Sequence, residues 1–390
     1  MIVESHSPTR GATRRRPPLR IGILAPPWVP VPPTNYGGTE LILDVLSRGL
    51  QELGHELVLF TTADSSCDVP KRWLFESSDP DRMGATVLEL RHVAAAYDVF
   101  AGFDIVHDHT LVGPFLAPLH PSLPVVTTVH GPFDDDLVDI YRRTAHAVPT
   151  IAISEDQASR APLDIPIGAV IHHGLDLDRY RFDEIGGDYL VALGRMNPAK
   201  GIHVAIEVAR RLGVDLVIAA KMREPAEKRY FESVVRPLLG NGVEYVGEVD
   251  HDAKVDLLAG ARALLNPIQW PEPFGLVMVE ALACGTPVVA TPAGAAPEII
   301  RPGATGYLAA TADELLSGVM ACADLDRRVC REEMEQRFSM ATMARNHDAF
   351  YRSVLAQRSG RRRWPGGSRP SPGLTGPVRT RRPLRAAKRR

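Results

Sequence analysis

Cysteine is scarce: only Cys67, Cys284, Cys322 and Cys330 occur in a chain of 390 residues, with no CxxC spacing among them. That excludes a disulfide framework or a cysteine-built zinc site and leaves reduced, structural thiols as the expectation. Long apolar runs are also missing, and none approaches the roughly 18 residues needed to span a bilayer. At the N-terminus, SHSPTRGATRRRPP puts proline and arginine where a secretory signal carries its apolar stretch. The expected location is therefore the cytoplasm. The dinucleotide fingerprint GxGxxG is absent, because RIGILA (20–25) runs into Pro26, Pro27 and Trp28 and not into a tight glycine turn. No short tandem repeat recurs, which argues against a solenoid.

What is present is an ordinary globular composition, 45% hydrophobic and 24% charged, with room for about two domains. The formal net charge of −2 conceals an asymmetry. Residues 357–390 hold 12 Arg and Lys and no acid, which leaves 33 basic against 47 acidic side chains in residues 1–356. An acidic body does not bind polyanions indiscriminately. No specific nucleic-acid partner is expected, and the basic groups that meet a phosphorylated ligand should be few and local. Residues 1–18 and the Pro-, Gly- and Arg-rich tail 357–390 are too polar to fold alone and are expected to be disordered. The tail is either a solvated extension or a peripheral attachment to the anionic inner face of a membrane.

Between these ends, short apolar runs alternate with amphipathic helical patterns. RIGILA (20–25), GTELILDVLSRGLQEL (38–53) and HELVLFT (55–61) make a βαβ opening, and strands are predicted at 104–107, 124–130, 149–154 and 168–171. The pattern breaks near DRYRFDEIGG (178–187) and resumes with strands at 188–194, 214–220, 243–247, 263–267 and 286–291. Two α/β domains are implied, 19–180 and 187–337, each a parallel sheet covered by helices. A helix over 338–356 either closes the second domain or crosses back to the first. In open α/β sheets ligands sit beyond the carboxyl ends of strands, so a cleft between the two domains is the expected site.

Candidate residues cluster just after strands. In NPIQWPEPFGLVMVEALACGTPVVAT (266–291), Glu272 stands in a Pro-rich loop, and a helix predicted from about Phe274 carries Glu280. Amides of Phe274, Gly275 and Leu276 at that helix start would favour an anion such as a diphosphate. The alternative is that Glu272 merely caps the helix while Glu280 is solvated. Arg195 and Lys200 follow the first strand of the second domain, where two cations either neutralise charge developing on a leaving group or pair at the surface. Gly37 and Gly38 permit close backbone approach to a ligand, or are simply an ordinary helix-start turn. His130 ends a strand facing the cleft, as a ligand contact or as a hydrogen-bonded structural histidine. His107, Asp108 and His109, with His172 and His173, raise a metal reading, but a metal site needs three or four convergent groups and HxH on a strand end is common without metal, so none is expected. Asp134, Asp135 and Asp136 border an acceptor pocket or form a solvated run.

The motifs EPFGLVMVE, GRMNPAKG (194–201), TVHG (128–131), NYGGTE (35–40) and HHGLD (172–176) occur in an order that resembles the retaining, family 4 type of GT-B glycosyltransferase over residues 20–356. The resemblance implies two Rossmann-like domains facing across a cleft. It also implies transfer of a hexosyl unit from a nucleoside-diphosphate sugar to an acceptor hydroxyl, with retention and without a cofactor or metal. Under it, Arg195 and Lys200 hold the diphosphate, Glu272 the sugar hydroxyls and Glu280 the ribose, while His130 contacts the transferred sugar. The acceptor would be a carbohydrate, a lipid-linked or a small molecule. Two departures stand out: KMREPAEK (221–228) replaces a glycine-bearing loop near the base, and His172-His173 replaces an asparagine before the interdomain glycine. A nucleotide-sugar epimerase on the same fold and a non-catalytic nucleotide-sugar sensor are the rival readings.

Overall fold

In the computed structural model, residues 17–35 and 37–359 are described. The basic tail beyond 359 and Tyr36 of the glycine motif lie outside them. The first seven strands are β1 (Arg20–Leu24), β2 (Glu56–Thr61), β3 (Lys71–Trp73), β4 (Ile105–Asp108), β5 (Val125–Thr128), β6 (Thr150–Ala152) and β7 (Ile167–Val170). They form one parallel sheet in the order β3-β2-β1-β4-β5-β6-β7. The next six, β8 (Leu190–Arg195), β9 (Leu216–Lys221), β10 (Val243–Gly247), β11 (Ala263–Asn266), β12 (Val288–Ala290) and β13 (Gly306–Leu308), form a second parallel sheet in the order β10-β9-β8-β11-β12-β13. Both orders reverse direction beside their first strand, at β1/β4 and at β8/β11. These are the switch points where helices on the two faces diverge and a crevice opens.

The central strands carry apolar residues on both faces because helices cover both. Ile21, Ile23 and Leu24 of β1 and Leu190 and Val191 of β8 are wholly buried. The edge strands β3 and β13 are three residues each (KRW and GYL). Neither makes an apolar run, so periodicity does not register them.

The last helix, Met340–Ser359, leaves the second unit and packs along the Gly38–Glu52 helix of the first. Its start is set by a crossing point: Leu175 donates to the Phe338 carbonyl and Met340 to the Leu175 carbonyl, each at 2.8 Å. Phe338 and Ser339 therefore stay outside the helix. Two expectations of disorder are corrected here. Residues 357–359, assigned to the tail, complete the helix, and Arg358 donates to the Pro121 carbonyl at 2.6 Å. Pro17, assigned to the disordered start, accepts from Arg352 at 3.0 Å. In both places a long arginine side chain finds a backbone carbonyl across the fold, which local composition cannot reveal.

The two helices approach closely because Gly49 has no side chain: a Cβ there would lie 2.8 Å from Met340 Cγ and 3.0 Å from Ala344 Cβ. Gly49→Leu is thus expected to overpack this contact and lower stability by about 1–3 kcal/mol. The urea midpoint reads this, and an unchanged midpoint would mean that the helix pair yields without strain.

Candidate functional site

At the facing carboxyl ends of the two sheets lies a cavity of ≈ 310 Å³ walled by both units. All ten residues singled out for binding or chemistry line it: Gly37, Gly38 and His130 from the first unit, and Arg195, Lys200, Glu272, Phe274, Gly275, Leu276 and Glu280 from the second.

The first unit brings a helix start. Gly37 is the N-cap of the Gly38–Glu52 helix, with no side-chain cap. A Cβ on Gly38 would come within 3.2 Å of Leu276 Cδ1, so its bare Cα permits the two helix N-termini to meet across the cleft. The facing helix spans Leu276–Ala283 and begins two residues later than predicted. Gly275, at φ 89°, is its N-cap in the left-handed region, and Phe274 is buried, ring to ring with His173 at 5.0 Å. The helix proper therefore begins at Leu276, and the Phe274 ring is an apolar wall of the cleft that Gly275 and Leu276 also line.

Arg195 ends β8, and Lys200 ends the Pro198–Lys200 turn that follows. Gly201 makes that turn possible: it sits at φ 67°, and a Cβ would fall 1.9 Å from the Pro267 carbonyl oxygen. The turn is pressed against the end of β11, where Gln269 donates to the Ala199 carbonyl at 2.7 Å. Lys200 is buried, its Nζ bonded to Glu272 Oε1 and 6.0 Å above the Trp270 ring. The Glu272 loop is held on its other side by Gly294, where a Cβ would strike the Glu272 backbone nitrogen at 2.4 Å, and by Ala295, which donates to the Glu272 carbonyl at 3.0 Å. The second carboxylate oxygen of Glu272, Oε2, is buried and has no partner among the described residues. Arg195 is half-buried at the cleft wall and makes no ion pair among them.

Glu280 is buried and not solvated. Its Oε1 accepts from Lys254 Nζ at 2.5 Å and from the Tyr180 hydroxyl at 3.1 Å. Burial and the adjacent carboxylate push the Tyr180 hydroxyl well above its ordinary value, so it stays a donor. Lys254 and Tyr180 escaped sequence analysis, since an amphipathic helix with one more lysine and a tyrosine in a linker carry no local signal.

His130 lines the first unit's side of the cleft, its Nε2 2.8 Å from His109 Nδ1 and its ring stacked 5.5 Å from His173. Burial, with His347 adding repulsion, lowers it to about 4. His107 hydrogen-bonds Tyr351 at 2.7 Å and Thr128 at 2.8 Å, while Asp108 accepts from Thr110 and Tyr97. No group of three or more His, Cys, Asp or Glu side chains converges to hold a metal among the described residues. Asp134 to Asp136 are exposed and are not among the residues lining the cavity, and Asp134 caps the Asp135–Thr144 helix.

One further residue joins the two units. Glu298 accepts from the backbone amides of Glu155 at 2.8 Å and Asp156 at 2.7 Å, and from His172 Nε2 at 2.8 Å. A carboxylate of the second unit thus completes the first turn of the Glu155–Arg160 helix in the first.

Known proteins resemble the chain along most of its length. Residues 36–179 match the family model Glycosyltransferase Family 4, and residues 184–336 match Glycosyl transferases group 1. MMP alpha-(1->4)-mannosyltransferase of Mycolicibacterium hassiacum is 25% identical, over 83% of this chain and 96% of its own. Glycogen synthase of Mycobacterium tuberculosis is 26% identical, over 85% and 94%. Among solved structures, AviGT4, a glycosyltransferase involved in avilamycin A biosynthesis, superposes with a TM-score of 0.66 at 26% identity, covering 87% of this chain and 98% of that one.

The Glu298 contact has a pH signature. Burial alone would raise its pKa, but the hydrogen bonds from His172, Asp156 and Glu155 outweigh that and hold it below its ordinary 4.5. A depressed folded value stabilises the fold fully above 4.5, and that contribution is lost as pH falls through the lower value. Glu298→Gln should cost about 1–3 kcal/mol at neutral pH. In urea unfolding the gap to wild type should close as pH drops below 4.5. A gap that ignores pH would show that the charge of Glu298 contributes nothing.

Proposed function

The chain belongs to the family 4 glycosyltransferases of GT-B fold, and on that premise we propose that its cleft transfers a hexosyl unit from a nucleoside-diphosphate sugar to an acceptor hydroxyl, with retention at the anomeric carbon and without a resident metal or cofactor. The observation that carries this reading is Arg195, a half-buried cation with no acidic partner among the described residues, in the wall of the same cleft that the Lys200–Glu272 pair and the start of the Leu276–Ala283 helix line.

The chemistry follows from where charge develops. As the bond from the anomeric carbon to the β-phosphate oxygen breaks, that oxygen gains negative charge. Fixed donors already aimed at it lower the barrier more than they stabilise the ground state. Arg195 supplies a planar fork suited to phosphate oxygens. Lys200 shares its protons between Glu272 and the diphosphate, and the amides from Leu276 onward add the positive end of a helix dipole. Glu272 Oε2, buried without a partner among the described residues, accepts from a sugar hydroxyl. Glu280 accepts from the ribose while Lys254 and Tyr180 hold it in place. His130, lowered to about 4, is neutral at physiological pH and is suited to hydrogen-bonding the sugar, not to taking a proton. In the retaining scheme the acceptor hydroxyl attacks from the face the diphosphate leaves, and its proton passes to the departing phosphate oxygen. One C–O bond breaks, one forms, and a nucleoside diphosphate is released. The acceptor class is a carbohydrate, a lipid-linked or a small molecule, reached from the first unit's side. The reaction is assigned to the cytoplasm, where nucleotide sugars serve as donors. Peripheral membrane contact through the tail lies outside the described residues.

A thermal-shift screen of UDP-, GDP-, ADP- and TDP-sugars should single out one nucleotide, because ligand at about 100 times its Kd adds about 2.7 kcal/mol of stability. With that donor, Arg195→Ala and Lys200→Ala are expected to lower turnover about 10²-fold each, activity should survive EDTA, and NMR of the product should show the donor's anomeric configuration. Wild-type turnover in both variants would reject the assigned diphosphate site. Loss of activity in EDTA, restored by magnesium, would reject the metal-free scheme. Nucleotide release that needs no acceptor would favour an epimerase.

A further inference from the structure

Five histidines form a continuous array from the C-terminal helix to the cleft. Ring centroids lie 5.3 Å apart for His347 and His107, 3.9 Å for His107 and His109, 5.1 Å for His109 and His130, and 5.5 Å for His130 and His173. Burial pushes all five below the ordinary histidine value, so at physiological pH each ring is neutral, with one N–H and one lone pair. The direction of each hydrogen bond is then a question of tautomer.

One hydrogen bond joins two of these rings, His109 Nδ1 to His130 Nε2 at 2.8 Å. The other nitrogen of His109, Nε2, is buried and has no partner among the described residues. A proton on that nitrogen would leave a buried N–H orphaned, whereas an orphaned lone pair is more readily tolerated. The His109 proton therefore sits on Nδ1 and is donated to His130 Nε2. His130 must then carry its own proton on Nδ1, which has no partner among the described residues, on a side chain that lines the cleft.

We propose that His109 is a positioning residue for the transfer reaction: by donating Nδ1–H to His130 Nε2, it fixes the tautomer in which His130 turns a hydrogen-bond donor, and not a lone pair, toward the transferred sugar. The inference rests on the cleft being the transfer site, but the tautomer itself does not. His107 packs its ring on His109 and is locked from behind by Thr128 and by Tyr351 of the last helix, so His109 has little freedom to turn.

The wild-type chain labelled with ¹⁵N-histidine provides the first test, with His130→Gln used to identify the His130 signals by their loss. Without any donor, His130 is expected to show a protonated Nδ1 and an unprotonated Nε2. The opposite tautomer overturns the proposal whatever the variants do. In transfer assays, His109→Leu removes the donor and should lower kcat at least about tenfold, with KM for the nucleotide sugar changed less than about twofold. His109→Asn places an amide N–H near the Nδ1 position and should recover most of that loss. Equal loss in both variants when both are folded, or a change confined to KM, overturns the positioning role. A wild-type chain that transfers from no nucleotide sugar would overturn the proposed function and leave the tautomer to be decided by the spectrum.

Discussion

The buried pair of Lys200 and Glu272 is the constraint around which the cleft is organised. Two charges taken out of water lose several kcal/mol each in hydration, and their attraction recovers this only with good geometry, so such a pair is weak evidence of stability. Its value lies in what it holds. Lys200 comes from the turn after β8, and Glu272 from the loop after β11. Their contact adds a side-chain link between two loops that the Gln269 N–H to Ala199 carbonyl hydrogen bond already joins through the backbone. Both loops are held from behind by glycines where a side chain would meet backbone: Gly201 against Pro267, and Gly294 against Glu272. A pair anchored in this way keeps a buried cation at the cleft floor, and it leaves one carboxylate oxygen unclaimed among the described residues. An incoming polar ligand then needs little reorganisation, which is the basis of electrostatic preorganisation.

The positions of these residues along the chain are legible because strand ends are legible. RIGILA, HELVLFT, DYLVALG and VDLVIAA are apolar runs bounded by polar segments, and each is a strand within two residues of its predicted ends. Residues following them had to fall at one edge of a sheet, and so Arg195, Lys200, His130 and Gly38 come together. What periodicity could not supply were partners from distant elements. Lys254 reaches Glu280 from a helix, Tyr180 reaches it from the linker, and Glu298 reaches Glu155 from the opposite unit. Nothing in a neighbouring residue records such a contact. The helix begins at Leu276 and not near Phe274 for a local reason: Gly275 adopts a left-handed conformation and Phe274 turns inward to the histidines.

The chain passes between the units twice, near Leu175 and near Ser339, and the two passages lie side by side, bridged through backbone hydrogen bonds. A relative rotation about that line would leave those bonds intact. It would not spare the contacts farther from it, where Gly38 meets Leu276 and Glu298 caps the Glu155–Arg160 helix. The Met340–Ser359 helix, in contrast, is packed into the first unit through Tyr351, Phe350 and Val354. The segment made last therefore moves with the unit made first. The histidine array is built across this same seam, since His347 and Tyr351 come from the last helix, His107, His109 and His130 from strand ends of the first sheet, and His173 from the passage itself. The geometry of His130 is thus held by residues of the first sheet, the last helix and the passage between the units, while the Lys200–Glu272 pair lines the same cleft from the second unit.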